Sequence, residues 1–310
     1  MSQDVPPAAS GEAWPQRLDM AVAAVAGVSR RRAQRLIADG VVTLNGRVAK
    51  SGDKGRMIGP QDRVLVTAEV GRVLPQPEMP LVVLGEGDGW VAVDKPAGVP
   101  VHPLREGEAG TLLNAVAGRY PQVQGVGASG DEGGLKSGVV HRLDVETSGV
   151  LLFALDEERW QRFRQAFSNH TADKRYTAIV SGHPPEHGEV DLRLAVTQHK
   201  PARVQAVPDD PSHPHHSDSR RCTLSWNVTQ RLAAASQLDI QLGTGFLHQI
   251  RATFAHLGHP VLGDPVYGPT SSPHETKASR MLLHATSLRI EGIEVESPLP
   301  EAFLDVGSQP

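Results

Sequence analysis

The chain has 310 residues, 39% of them hydrophobic and 21% charged, with a formal net charge of −4. That length allows two domains, one with a sizeable core, while no apolar run approaches the ~20 residues a membrane-crossing helix needs. A single cysteine, Cys222, excludes an intrachain disulfide and makes the cytoplasm the expected location.

The charge is unevenly spread. Between Gln16 and Arg72 there are 11 Lys/Arg against 5 Asp/Glu, so a basic front segment precedes an acidic body, the footprint of a polyanion-binding module. The opening Met1-Ser2-Gln3-Asp4 lacks a basic region followed by an apolar one, so no secretory signal is expected, and residues 1–15, rich in Pro, Ala and Ser, read as a flexible tail. Leu18, Val22 and Val25 recur at helical spacing up to Gly27. Ser29 is an N-cap for a second helix, with Ala33, Leu36 and Ile37 as its apolar face and Gly40 as its stop. Arg30, Arg31, Arg32 and Arg35 crowd the start of that helix, where cations oppose the macrodipole; phosphate binding would explain them. Asn45-Gly46 between Val41–Leu44 and Arg47-Val48 predicts a hairpin, and Asp62–Val66 a closing strand. Residues 71–80, with Pro75, Pro77 and Pro80, read as a semi-rigid linker.

Beyond the linker the chain is strand-rich. Trp90–Val93 is a predicted strand leading into Asp94-Lys95-Pro96-Ala97-Gly98 and Val101-His102-Pro103. Val139-Val140 and Val150–Ala154 predict strands on either side of His141-Arg142-Leu143-Asp144-Val145-Glu146-Thr147-Ser148-Gly149, a strand-loop-strand unit that would hold one carboxylate at a fixed point. Alone, Asp144 would read as a turn-capping residue. A helix from Asp156 buries Trp160, Phe163 and Phe167 as core. Tyr176–Val180 and Leu238–Leu242 are strands, and a helix runs from about Leu247 to Leu257. Val207–Ser219, rich in Pro, Asp, His and Ser, reads as a surface insertion.

The nine-residue string around Asp144 resembles the signature of the RluA-type pseudouridine synthases. Four further stretches match that family in order: Asp94–Gly98 with Val101–Pro103, Lys174-Arg175-Tyr176-Thr177-Ala178, Thr244–Arg251 with Ala255–Asp264, and Leu282–Ala285. The resemblance covers about Leu81 to Phe303. The two helices and basic hairpin of Gln16 to Val70 resemble the S-four-like RNA-binding domain. Together they imply an α+β chain: a pseudouridine synthase fold, with a mixed, largely antiparallel central sheet and flanking helices, behind a small α+β RNA-binding domain. The implied divisions are a tail at 1–15, the RNA-binding domain at 16–70, a linker at 71–80, the catalytic domain at 81–303 and a tail at 304–310.

By resemblance, Asp144 is the catalytic residue and Tyr176 lies against the target base. Each role also has a physical basis. Pseudouridine formation breaks the N1–C1′ bond of uridine and joins C5 to C1′. A carboxylate can add to an electrophilic carbon or stabilise positive charge at the sugar. A carboxylate in a dry pocket needs a nearby cation to stay ionised, and Arg251 is the candidate partner. Tyr176 can stack on a flipped base and help remove the C5 proton. Arg30, Arg31, Arg32, Arg35, Arg47 and Arg142 are the candidate RNA contacts. His248, His256, His259 and His284 lack zinc-like spacing and read as hydrogen-bonding groups in and around the core. Neither metal nor cofactor is expected, nor any membrane association, and the expected state is a monomer. The implied function is isomerisation of uridines in structured RNA, ribosomal RNA or alternatively tRNA. One departure stands out: Phe246-Leu247 replace the family's Arg-Thr, removing a cation and a hydroxyl. This leaves open a catalytically weak or inactive RNA-binding or ribosome-assembly protein on the same fold. A Ser148-based hydrolase lacks the G-x-S-x-G elbow.

Overall fold

A computed structural model describes residues 15–67, 71–128, 134–268 and 278–307. The tail expected at 1–15 lies, but for its last residue, outside the described residues. The chain forms two compact units. The first gathers Met1–Pro80, His102–Val139 and Ala154–Trp160; the second gathers Leu81–Val101, Val140–Phe153 and Gln161–Pro310.

In the first unit, a two-residue strand β1 (Gln16–Arg17) leads into helices α1 (Leu18–Ala26) and α2 (Arg30–Ala38). Ser29 caps α2 by accepting from the Arg32 N–H at 3.2 Å, and Leu18, Val22, Ala33, Leu36 and Ile37 are fully buried between the helices. The hairpin forms where the sequence places it. Strands β2 (Val42–Leu44) and β3 (Arg47–Val48) flank Asn45 and Gly46, whose φ values of 51° and 78° are those of a type I′ turn. Strand β4 (Met57–Ile58) pairs with β1, and β5 (Val64–Val66) pairs with β2. The closing strand starts two residues later than expected because the Asp62 carboxylate is occupied in a turn, accepting from the Gly59 N–H and the Asn45 amide. Residues 71–80, read as a semi-rigid linker, are tied to other residues of the first unit. Val73 is buried, its N–H and C=O bond the Gln124 side chain, and the Asn114 amide donates to Leu74 O from helix α3 (Leu112–Arg119).

The second unit is built on a ten-stranded sheet. Its strands in chain order are β6 (Val82–Gly87), β7 (Trp90–Lys95), β8 (Ser148–Ala154), β9 (Asp173–Ser181), β10 (His187–His199), β11 (Ala202–Val207), β12 (Arg220–Arg231), β13 (Ala235–Leu242), β14 (Leu283–Ile290) and β15 (Ile293–Glu296). Their spatial order is β11-β10-β12-β13-β9-β14-β8-β7-β6, with β15 paired to β14. β14 runs parallel to β8 and antiparallel to β9. Period-two alternation sets the faces: Leu238, Ile240 and Leu242 of β13 join Tyr176, Ala178 and Val180 of β9 in one core. Helix α5 (Gln249–His256) covers that core with Ile250 and Phe254, whose ring meets Trp226 edge-on at 5.5 Å. Helix α4 (Glu157–Ser168) buries Phe163, but Phe167 is only half-buried and stacks on His141 at 4.7 Å. Residues 304–307, read as tail, end helix α6 (Glu301–Gly307). Residues 208–219, within the stretch read as a surface insertion, connect β11 to β12 through turns and bends.

The strand expected before the Asp144 loop does not form beyond an isolated bridge at Val139. Side chains satisfy that backbone instead: Arg164 donates to Val140 O at 3.0 Å, and His141 Nε2 accepts from the Leu152 N–H at 3.0 Å. Burial pushes His141 down to about 3, helped by Lys174, so the ring is neutral and able to accept there.

Candidate active site

The register of three strands assembles the site. Gly149 of β8 lies opposite Ala285 of β14, and Ala285 opposite Tyr176 of β9. Gly149 has φ +112°, and a Cβ there would sit 2.2 Å from Ala285 O. Only glycine permits both that backbone and that approach. The Asp144 loop is thereby drawn level with Tyr176 across one intervening strand.

The loop itself is held from below by Lys95, the last residue of β7. Its ammonium is fully buried and donates to Pro96 O, Val145 O and Thr147 O at 2.9, 2.8 and 2.7 Å. The Gly98 N–H adds a bond to Val145 O at 2.9 Å, and Thr147 N–H closes a turn onto Asp144 O at 3.1 Å. Burial lowers Lys95 to about 8 despite the nearby Glu146 and Asp144 charges. Three carbonyls stand in for the lost hydration.

Arg251, on α5, reaches the loop. It is 4% exposed, and its Nη1 donates to Asp144 Oδ2 at 2.8 Å. Its Nε and Nη2 bond both oxygens of the buried Asp264 at 2.7 and 2.9 Å, a bidentate pairing. Burial alone would push the Asp264 carboxyl up, but the Arg251 bonds and charge, with the Val266 and Tyr267 N–H groups, hold it below the ordinary carboxylate value. Burial likewise opposes the charge on Arg251, and the two carboxylates reverse this and raise it. The Asp144 side chain is 21% exposed, and its Oδ1 has no partner among the described residues. One oxygen is pinned by the guanidinium; the other is free to meet a substrate.

Tyr176 is 8% exposed in the same core. Burial, then the Asp144 charge, raises its phenol far above the ordinary value, so it stays protonated at neutral pH. The ring face and a neutral hydroxyl are what it offers. Tyr267 flanks Arg251, whose guanidinium lies 5.2 Å from the ring centroid, and His248 meets the same tyrosine edge-on.

Among the expected RNA contacts, the structure separates accessible from occupied cations. Arg31, Arg47 and Arg142 are exposed with no partner among the described residues. Arg30 is half-exposed and bonds Asp19 at 3.1 Å, and Arg35 donates to Leu104 O at 2.9 Å. Arg32 corrects the reading. It is 2% exposed and pairs with Glu106, whose oxygen also accepts from Gly71 N–H, so it is a buried structural cation inside the first unit. Its place one position further round the helix turns it from solvent to core.

Of the remaining histidines, His256 is exposed, with no side-chain hydrogen bond among the described residues, contrary to expectation. His259 Nδ1 meets Ser181 O at 2.9 Å, and His284 lies 2.9 Å from Ser148 Oγ and 3.3 Å from Ser297 O. His284 and Ser148 are both buried, and Ser148 also accepts from Arg280 at 3.2 Å, so this Ser–His contact pins β14 to β8. No group of three or more His, Cys, Asp or Glu among the described residues could hold a metal ion. Phe246 and Leu247 pack against Leu194, Val204, Cys222, Ala252 and Tyr267. They anchor the start of α5, which begins two residues later than expected because His248 adopts φ +51°. Lys95 and Asp264 were passed over as site residues. Both lie in stretches that matched the family, yet neither carries a local signal separating a buried, paired charge from a surface one.

Comparison with known proteins bears on identity. A sequence model described as RNA pseudouridylate synthase matches residues 89–256, and one described as S4 domain matches residues 16–64. An RNA pseudouridine synthase of Chloroflexus aurantiacus is 34% identical over 285 residues, covering 92% of this chain and 83% of that protein. Ribosomal large subunit pseudouridine synthase D of Escherichia coli K12 is 30% identical over 311 residues, covering 94% and 89%. The solved structure of human RNA pseudouridylate synthase domain containing 1 superposes with a TM-score of 0.57 at 24% identity, over 73% of this chain and 86% of that one, a likeness of fold. With the S4 domain in front, a largely antiparallel sheet behind, and a family match over more than half its length, this chain belongs to the RNA pseudouridine synthases.

Proposed function

We propose that the chain converts uridines to pseudouridine in ribosomal RNA, in the cytoplasm and as a monomer, with Asp144 as the catalytic carboxylate. The observation that carries the assignment is the divided state of that carboxylate: Oδ2 is bound to a guanidinium that is itself clamped by Asp264, Oδ1 has no partner among the described residues, and the charge is felt by the buried Tyr176. Relatives named as large-subunit synthases support ribosomal RNA as the substrate class.

The chemistry follows from the groups present. The target uridine leaves its stack and inserts against the Tyr176 face. Oδ1 of Asp144 either adds at C1′ or takes the C2′ proton to begin elimination, as the N1–C1′ bonding pair leaves with the uracil. The base turns and C5 bonds to C1′ as the Asp144–C1′ bond breaks or, in the elimination route, as C2′ regains its proton from Asp144; the C5 proton is lost to water and N1 takes one up, so atoms balance with no external reagent. Arg251 holds Oδ2 in place through its 2.8 Å bond and leaves Oδ1 to the substrate. With its phenol protonated, Tyr176 works through its ring and neutral hydroxyl.

The test is carbodiimide mapping of RNA from cells lacking the gene, complemented with wild type or Asp144→Ala. The expected result is a set of ribosomal sites lost on deletion, restored by wild type and not by the variant, with RNA binding retained. Restoration by Asp144→Ala would refute the assignment, lost sites confined to tRNA would redirect the substrate, and an unchanged map would favour a binding protein.

A further inference from the structure

His248 is a half-buried residue with φ +51° directly before α5. A left-handed backbone at a non-glycine residue is uncommon and gathers at functional sites. The residue lies three positions before Arg251, at the cap of the same helix. Its Nδ1 is 3.0 Å from Tyr267 Oη, the same tyrosine that Arg251 overlies.

The proton on this imidazole can be located. Tyr267 is 9% exposed, and its hydroxyl oxygen accepts from the Val204 N–H at 2.7 Å. If His248 Nδ1–H also donated to that oxygen, the phenolic proton would have no acceptor in a nearly closed site. The arrangement that satisfies every group has Tyr267 O–H donating to Nδ1, which puts the ring proton on Nε2. Burial lowers the imidazole, outweighing the pull of the Asp144 charge, so this neutral form persists at neutral pH. Nε2 has no partner among the described residues and is not among the buried unsatisfied atoms.

We infer that His248 is a substrate-binding residue whose Nε2–H hydrogen-bonds an uncharged oxygen of the target nucleotide, a uracil carbonyl or a ribose hydroxyl. A phosphate fits this place less well. The surrounding charges are Asp144 and Asp264 against Arg251 and Arg203, which leaves no surplus cation, and Phe246-Leu247 add none. The inference rests on the reading of Asp144 as the catalytic carboxylate.

Single-turnover kinetics on an RNA fragment carrying the mapped uridine tests it. His248→Phe, which keeps a ring and loses both nitrogens, is expected to lower kcat/KM about tenfold, the scale of one hydrogen bond. His248→Gln, whose amide can place an N–H near the position of Nε2, is expected to regain most of that loss. Tyr267→Phe, which removes the hydroxyl that fixes the ring proton, is expected to fall between them. Fragments with 4-thiouridine or 2′-deoxyuridine at the target identify the acceptor. The analogue that replaces it costs wild type a similar factor and leaves His248→Phe unaffected. Wild-type kcat/KM in His248→Phe, an equal loss in His248→Gln, or equal sensitivity of wild type and His248→Phe to both analogues would overturn the inference. Asp144→Asn, run alongside, separates the two failures: turnover by that variant sinks the underlying assignment, whereas its inactivity with a fully active His248→Phe sinks this inference alone.

Discussion

Arg251→Met puts the strongest demand on the site as described. The guanidinium is 4% exposed and spans two carboxylates, one of them, Asp264, with no side-chain exposure. Without it, Asp264 keeps two backbone N–H bonds but becomes a buried charge with no counter-ion. Breaking such a pair costs about 3–5 kcal/mol, most of it the penalty of the stranded charge. If that is where the cost lies, adding Asp264→Asn should return roughly 2 kcal/mol of it by removing the charge. Urea unfolding followed by tryptophan fluorescence reads this directly, since Trp226 packs on Phe254 in the same core as α5. The acid side gives a second reading. Asp264 is held below the ordinary carboxylate value, so its contribution is present at neutral pH and is lost as pH falls through that lowered value. In Arg251→Met only the two backbone N–H bonds oppose burial, so the carboxyl moves up and this acid loss of stability should shrink or reverse, because protonation then relieves the stranded charge. A double variant no more stable than Arg251→Met would refute the reasoning, because the penalty would then lie elsewhere than in the stranded carboxylate.

Gly149→Ala should abolish activity and destabilise the sheet by several kcal/mol, since the new Cβ would sit 2.2 Å from Ala285 O at φ +112°; soluble, active protein at normal yield would contradict the register drawn above. Activity should fall as pH rises through about 8, where Lys95 and Lys174 lose their charge. Folding stability should not fall with it. Both lysines are lowered on folding, so the unfolded chain binds more protons between about 8 and the ordinary lysine value, and these groups favour the folded state increasingly across that window. Parallel loss of activity and of urea stability would count against this. For RNA binding, Arg31→Ala and Arg47→Ala should each reduce the slope of log affinity against log salt by about 1 if each meets one phosphate. Arg32→Leu should instead cost stability, about 3 kcal/mol, by stranding Glu106.

Legibility in the sequence followed the range of the interactions. The hairpin at Asn45-Gly46, the Ser29 cap and the alternation of Leu238, Ile240 and Leu242 are local, and each stands where the pattern puts it. The contact between Asp144 and Arg251 joins residues 107 positions apart, and it was anticipated from the need of a dry carboxylate for a cation. The missing strand before Asp144 depended on side chains that reach in from α4 and from His141 itself, which no periodicity records. Arg32 shows the same limit on a helix: four clustered arginines look alike in sequence, and only the packing of α2 assigns one of them to the interior. Lys95 and Asp264 were hidden for a related reason, since a charged residue reads as surface until a set of carbonyls or a guanidinium is found around it.

β14 lies between β8 and β9, and it is β14 that brings Gly149 and Tyr176 into line. Its residues, Leu283–Ile290, follow Tyr176 by more than a hundred positions. During synthesis, therefore, the Asp144 loop and the tyrosine strand leave the ribosome long before the strand that sets their spacing. Until β14 slots in, each side of the sheet presents an open edge and the two halves of the candidate site have no defined separation. The fold thus carries a built-in delay: a nascent chain can display its S4 domain early, but the candidate site takes its spacing only once β14 has been made.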